Sequence, residues 1–148
     1  MELNQITADL NFLTSVIHSL SVDCKMFIIS NDNKKEFGLD IKCSKPTIAD
    51  NQKIGRLLMQ VNVSVLQEDE ELPPDKFSLE IEGVFSSSAK MTDEDFLQYL
   101  NINGGAALYS IARAKIEAVS SLTYAEGKIT LPMVNIVQYF KERNLTET

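Results

Sequence analysis

The feature that most constrains this fold is the alternation of apolar and polar residues in two segments, 54–67 and 75–88. Successive side chains of a strand point to opposite faces, so each segment predicts a strand with one apolar and one polar face. The apolar positions are Leu57, Met59, Val61, Val63 and Val65 in the first segment, and Phe77, Leu79, Ile81 and Phe85 in the second. An antiparallel hairpin in which paired residue numbers have even sums places both rows on one face of a sheet.

Two further strands are expected near the start of the chain. Residues 12–29 predict a long strand, bulged near His18, and residues 37–44 predict a second one. The polar segment 31–35 between them is typical of a turn. A hairpin turning there pairs residue numbers that sum to about 67 and places Cys24 opposite Cys43. Residues 45–53 are expected to form a loop, and an acidic loop at 68–71 precedes two prolines.

Helical patterns follow the strands. Thr92 is expected to cap a short helix over 93–101, which ends at the Asn-Gly-Gly sequence of 103–105. A longer amphipathic helix is predicted over 105–122, and a last helix begins at Pro132. Residues 1–11 and 141–148 read as flexible tails. The sequence therefore predicts one domain over 1–148, of α+β class, with a four-stranded antiparallel sheet followed by C-terminal helices that pack on it.

No catalytic constellation is apparent. The chain has one histidine and two cysteines, and it carries no nucleophile elbow or phosphate-binding loop, so we expect no enzyme activity, no metal and no cofactor. Arg113, within the apolar helix, is either a surface cation or the anchor of a buried ion pair. The net charge of -7 argues against a nucleic-acid partner. It suits basic or unfolded polypeptide partners, although solubility alone is an equal alternative.

The N-terminal residues lack a basic start followed by an apolar core, so no secretory signal is expected. No apolar run is long enough for a transmembrane helix, and no membrane insertion is expected. A cytoplasmic location follows as the default expectation.

Three short motifs, in this order and spacing, resemble the SecB family of protein-export chaperones. Residues 84–86 (Val-Phe-Ser) are similar to the family's Ile-Phe-Ser, and residues 108–113 (Leu-Tyr-Ser-Ile-Ala-Arg) to its Leu-Phe-Pro-Tyr-Ala-Arg. Residues 131–135 (Leu-Pro-Met-Val-Asn) are similar to its Leu-Ala-Pro-Val-Asn. The resemblance covers residues 12–140. It departs from the pattern at Ser110, at the displaced Pro132, and at Ser19, where the first acid of a family motif is lost.

The resemblance implies a homotetramer, built as a dimer of dimers, that binds unfolded client polypeptides in apolar grooves without ATP. Its implied client-binding residues are Phe37, Leu39, Ile41, Ile136 and Phe140. Its implied acidic patch for docking the motor SecA is reduced to Asp23, Glu80 and Glu82. We expect Leu108, Tyr109 and Ala112 at an oligomer interface.

Two alternatives remain open at the level of the sequence. A SecB-like chaperone that controls a toxin–antitoxin system would have an antitoxin as its partner in place of SecA. A small-ligand binding module would use the sheet under the long helix.

Overall fold

The computed structural model describes residues 9–146 and has an α+β architecture with one five-stranded antiparallel sheet. The strands are β1 (Asn11–Asp23), β2 (Lys35–Cys43), β3 (Thr47–Ala49), β4 (Gln52–Val65) and β5 (Asp75–Ser88). The helices are α1 (Asp93–Tyr99), α2 (Gly105–Thr123) and α3 (Ile136–Thr146), and a π-helical turn (Leu100–Gly104) joins α1 to α2. This confirms the predicted fold class.

The central hairpin of β4 and β5 matches the prediction. The two strands pair antiparallel with even sums, as in Met59 opposite Ile81 and Val61 opposite Leu79. Every apolar position named for these strands is buried, while the alternate positions are more exposed. The alternation is obeyed because the helices cover one face of this hairpin and leave the other face to solvent.

The predicted hairpin between the first two strands is wrong. β1 pairs with β5 and β2 pairs with β4, which gives the strand order β1-β5-β4-β2. Cys24 follows β1 at one edge of the sheet, and Cys43 ends β2 at the other, so the expected neighbourhood of the two cysteines is also wrong. Alternation determines which face a side chain occupies, but it carries no information about the neighbouring strand.

β1 is also shorter than predicted. Its expected bulge is confirmed, because the register with β5 shifts between Ile17 and Ser19. The strand ends at Asp23, however, and residues 24–29, here called the crossover segment, leave the sheet and pass toward the end of α2. The predicted loop 45–53 contains the added strand β3, which turns into β4 through Asp50 and Asn51, both with positive φ.

Thr92 caps α1 as predicted, since its hydroxyl accepts a hydrogen bond from the N–H of Asp95 at 3.2 Å. The predicted break at 103–105 is wrong, because the chain stays helical through the π-helical turn. Gly104 and Gly105 serve close packing there. A Cβ at Gly104 would lie 3.1 Å from Leu57, and one at Gly105 would lie 3.3 Å from Ile136.

α3 begins four residues later than predicted. Asn135 precedes it, and its side-chain oxygen accepts from the N–H of Gln138 at 3.0 Å, which is the contact that an N-cap makes. The carbonyl of Pro132 instead accepts a 2.6 Å hydrogen bond from the hydroxyl of Tyr109. α3 continues to Thr146, so most of the predicted C-terminal tail is helical.

Candidate functional site

The helical layer covers the two central strands of the sheet far better than the two outer ones. The inward-facing apolar residues of β4 and β5 are all buried against the helices. On the same face, several apolar side chains of β1 and β2 remain exposed to solvent. The sheet therefore presents an apolar strip along each side of the helical layer. Exposed apolar strips of this kind are typical of interaction surfaces.

The strip on β1, here called the β1 row, consists of Phe12, Ile17, Leu20 and Val22. Their Cα partners on β5 are the buried residues Phe85, Ile81, Leu79 and Phe77, so the row lies on the helix-facing side of the sheet. Phe12 is 46% exposed, although its ring packs edge-on against Phe85 with 5.5 Å between centroids. The alternation of Leu20 and Val22 was readable in the sequence. Their exposure was not, because it depends on where the helices end.

β1 is also an outer strand with a free edge among the described residues, since it pairs only with β5. Residues 11–22 carry no formal charge apart from the single histidine and no proline. Charged residues and prolines are the usual protection of an edge strand against pairing with another chain. This edge is therefore open to an added strand.

The strip on β2 contains the residues that the resemblance named for client binding. Phe37, Leu39 and Ile41 share the helix-facing side of β2, opposite the buried Val63, Val61 and Met59 of β4. A Cβ on Gly105 would contact Ile136, Phe140 and Ile41, so these side chains converge at the start of α2. The structure therefore brings the five predicted residues to one surface, here called the β2 surface.

Within the β2 surface the five residues differ in accessibility. Phe37 is 43% exposed, and Leu39 and Phe140 are half-buried. Ile41 and Ile136 are buried in the core of the single chain, at 2% and 6% exposure. In this conformation they form the floor of the surface, and Phe37, Leu39 and Phe140 are the parts that another molecule can touch.

α3 closes part of the outer edge of β2. The hydroxyl of Tyr139 accepts a 3.1 Å hydrogen bond from the N–H of Ile41. The guanidinium of Arg143 donates to the carbonyl of Ile41 and lies 3.2 Å from a carboxylate oxygen of Asp40. Both outward-facing backbone groups of Ile41 are thereby satisfied, which protects the edge at this point.

The three residues of the predicted acidic patch share the opposite, polar face of the sheet, and two of them lie beside cationic side chains. Glu82 lies 3.2 Å from the imidazole of His18 and 3.3 Å from the guanidinium of Arg56. Asp23 is 2.9 Å from the ammonium of Lys25 and is the Cα partner of Lys76. Glu80 lies on the same face, two residues before Glu82 in β5.

The three residues expected at an oligomer interface lie inside the single chain. Leu108 and Ala112 are fully buried on the face of α2 that covers the sheet, and Tyr109 is buried beside them. Burial raises the pKa of Tyr109. Arg113 is half-buried, and its guanidinium donates to the carbonyl of Leu131 at 3.2 Å and contacts the sulfur of Met133. This side of α2 holds residues 128–136 in place.

The crossover segment was not recognised as a separate element from the sequence. Phe27 and Ile28 are 82% and 53% exposed, whereas Ile29 is buried. Backbone hydrogen bonds from Ala125 to Phe27 and from Ile29 to Glu126 tie the segment to the end of α2. Beneath it lies the fully buried carboxylate of Asp75.

Within residues 9–146, no three His, Cys, Asp or Glu side chains are grouped in a way that could hold a metal ion. None of the helices described here has the length and apolar character needed to cross a bilayer.

No protein-family model matches the chain, and no curated protein sequence matches it. Its fold is similar to that of the Mycobacterium tuberculosis SecB-like chaperone Rv1957, solved in complex with a ChAD peptide from the Rv1956 HigA1 antitoxin. That likeness has a TM-score of 0.57 at 14% identity and covers 85% of this chain and 91% of the other. A Streptococcus agalactiae protein of unknown function is also similar, with a TM-score of 0.52 at 11% identity over 84% of this chain and 97% of that one. At these identities the likeness shows a SecB-like fold.

Proposed function

We propose that this protein is an ATP-independent chaperone that holds unfolded or extended polypeptide segments on the apolar strips of its outer strands. The observation that carries the proposal is the incomplete helical cover: the apolar face of the sheet extends beyond the helices on both sides. A folded domain gains stability by covering such residues, so their exposure indicates that a partner covers them.

Extended polypeptide fits these strips better than a compact ligand does. Each strip follows a strand, so a client segment lying along it meets apolar side chains at the two-residue spacing of its own alternating side chains. The strips lie at opposite sides of the helical layer. A long unfolded chain that touches both gains affinity through effective concentration, even when each contact is weak.

Self-assembly is part of the same proposal. The uncharged edge of β1 can pair with β1 of a second copy, which would join two sheets and extend the β1 row across both chains. A homotetramer made from two such dimers fits the resemblance to the SecB family. Leu108 and Ala112 are buried within one chain, so β1 is a better candidate for the contact between copies than these two residues of α2.

The partner is better proposed as a peptide segment, such as part of an antitoxin, than as SecA. The resemblance implies that SecA docks on an acidic sheet face. Here Asp23 lies beside the ammonium of Lys25, and Glu82 lies beside the guanidinium of Arg56. The similar protein Rv1957 was solved with an antitoxin peptide bound. A role in export, with unfolded precursors as clients, remains the second proposal, and it is favoured by the resemblance of the sequence motifs.

The proposal is tested by suppression of client aggregation. A client polypeptide unfolded in denaturant is diluted into buffer with increasing amounts of the protein, without ATP, and light scattering is followed. We expect scattering to fall in proportion to the protein added, and the double variant Phe37→Ser/Leu20→Ser to be weaker. Gln60→Ser, on the exposed polar face of β4, is the matched control. Undiminished scattering with wild-type protein would contradict the proposal.

The two classes of partner are separated by a panel of peptides. An antitoxin-type role predicts tight binding of one or a few peptides and weak binding of the rest. Export predicts similar affinities for many unfolded precursors. A small-ligand module, the remaining alternative, predicts that neither the peptides nor the unfolded precursors bind.

A further inference from the structure

A buried carboxylate is one of the groups that hold the crossover segment at the end of the sheet. Asp75 is fully buried at the start of β5, next to the place where β1 ends. Its Oδ1 accepts from the backbone N–H of Lys25 at 2.7 Å and lies 3.4 Å from that of Met26. A strand continuing past Asp23 would direct its backbone groups along the sheet, so these contacts explain why β1 ends there.

The other oxygen of the same carboxylate joins the segment to α2. Oδ2 accepts a 2.8 Å hydrogen bond from the hydroxyl of Tyr124, the C-cap residue that follows α2, and lies 3.5 Å from the thiol of Cys24. The ring of Tyr124 packs against Phe77, with 5.9 Å between centroids. Burial, with Asp75 as a further cause, raises the pKa of both Tyr124 and Cys24, so both remain protonated donors near neutral pH.

A buried carboxylate without a cation is costly unless its oxygens are hydrogen-bonded. The donors that meet Asp75 are backbone amides, a phenol and a thiol, whereas the ammonium of Lys25 points to Asp23. This arrangement is stable only when the crossover segment and the end of α2 are both docked. Asp75 therefore couples the position of the segment to that of the helix.

The segment is also clamped from its other side. Gly127 has φ +88, and a Cβ at this position would lie 2.1 Å from the carbonyl oxygen of Ile29. Residues 27–29 thus run in close contact with residues 125–127. Between the two anchors, the side chains of Phe27 and Ile28 are exposed to solvent.

We propose that Asp75 is a positioning residue for client capture, because it fixes the crossover segment so that Phe27 and Ile28 present a preformed apolar ridge to an extended polypeptide. This inference rests on the proposed function and deepens it. The gain comes from preorganisation. A ridge that is already held in one conformation loses less conformational entropy when the client binds.

The test is a double-mutant cycle on client affinity. A polypeptide kept unfolded by reduction and carboxymethylation is titrated with the wild type, Asp75→Ala, the ridge variant Phe27→Ser/Ile28→Ser, and their combination. We expect Asp75→Ala to weaken binding about tenfold in the wild-type background and less than about twofold in the ridge variant. Hydrogen exchange of the amides of Lys25 and Met26 should accelerate in Asp75→Ala.

The conservative variants keep the test decisive if Asp75→Ala folds poorly. In Asp75→Asn, the amide oxygen can still accept from Lys25 while the amide nitrogen donates to the hydroxyl of Tyr124, so affinity should largely recover. Tyr124→Phe keeps the ring and removes the donor, and it should give an intermediate loss. Glu94→Ala, which removes an exposed carboxylate in the first turn of α1, is the control and should bind like the wild type.

Three results would overturn parts of the inference in distinguishable ways. Unchanged affinity of a folded Asp75→Ala protein with faster exchange at residues 25–26 would show that the segment plays no part in capture. Equal losses in both backgrounds of the cycle would show a general structural role. A wild-type protein that does not bind the unfolded polypeptide at all would refute the proposed function, whereas the exchange of residues 25–26 would still report whether Asp75 holds the segment.

Discussion

Replacing Phe37 by alanine should affect both client binding and folding, by amounts that can be measured separately. Part of this side chain is exposed to a partner, and the rest is buried in the fold. Phe37 is 43% exposed, and a phenylalanine presents roughly 200 Å² in total, so about 85 Å² of apolar surface is open to a partner. At about 25 cal/mol per Å², covering that surface contributes about 2 kcal/mol to client binding, or about a 30-fold change in Kd. Because part of the ring is buried, the substitution should also lower the free energy of unfolding by about 2 kcal/mol.

Ile41 on the same strand is the matched control. It is 2% exposed and forms the floor of the β2 surface, so Ile41→Ala should lower the free energy of unfolding by about 2–5 kcal/mol. It should change the client Kd of the folded protein by less than about threefold, since almost none of its surface is available. The substitution Ile41→Asp would place a charge in the core and is expected to prevent folding, whereas Leu39→Asp, at a half-buried position, should mainly weaken capture.

The assay combines two measurements on each variant. Urea denaturation gives the free energy of unfolding, and isothermal titration with a carboxymethylated unfolded polypeptide gives Kd at a temperature where both variants remain folded. The reasoning is refuted if Phe37→Ala and Ile41→Ala lose client affinity in the same proportion as they lose stability. It is also refuted if Phe37→Ala retains full affinity.

Three other consequences can be checked separately. Val16→Lys adds a charge to the exposed polar face of the edge strand β1. Light scattering should show the proposed assembly shifting toward the 16.6 kDa single chain, whereas an unchanged mass would place the contact between copies elsewhere. Gly127→Ala should lose about 2–4 kcal/mol in urea denaturation, because its Cβ would overlap the carbonyl of Ile29 at a positive φ; near-wild-type stability would show that the crossover segment can move away. Burial and Asp75 raise the pKa of Cys24, so its thiolate fraction at pH 8 is reduced. Iodoacetamide should therefore label Cys24 more slowly than the exposed Cys43, and the difference in rate should shrink as the pH rises. Equal labelling rates, measured by peptide mass spectrometry, would contradict the contact with Asp75.

The parts of the fold that were predictable are those set by neighbours in sequence. Alternation determined the faces of β4 and β5, and the hydroxyl of Thr92 marked the start of α1. The pairing of β1 with β5 was not predictable in this way, because the polar turn at 31–35 is equally compatible with a hairpin and with a connection between the two edges of the sheet. The end of β1 depends on Asp75, which is distant in sequence and approaches only after folding.

The same distinction holds for the candidate site. The alternation of Phe37, Leu39 and Ile41 correctly placed them on one face, yet their burial ranges from Phe37, 43% exposed, to Ile41, at 2%. That difference depends on where Ile136 and Phe140 of α3 come to lie, which no local pattern encodes. Gly104 and Gly105 read as a helix break in isolation, whereas their role is to let the helix approach the sheet and α3.

The most direct test of the central claim is where an unfolded polypeptide touches this protein. A photo-reactive amino acid is placed singly at Leu20 on the β1 row, at Phe37 on the β2 surface, and at Gln60 on the opposite face of the sheet. The account predicts strong crosslinks to an unfolded client from the first two positions and little from Gln60. Crosslinks that form mainly from Gln60, or equally from all three positions, would contradict it.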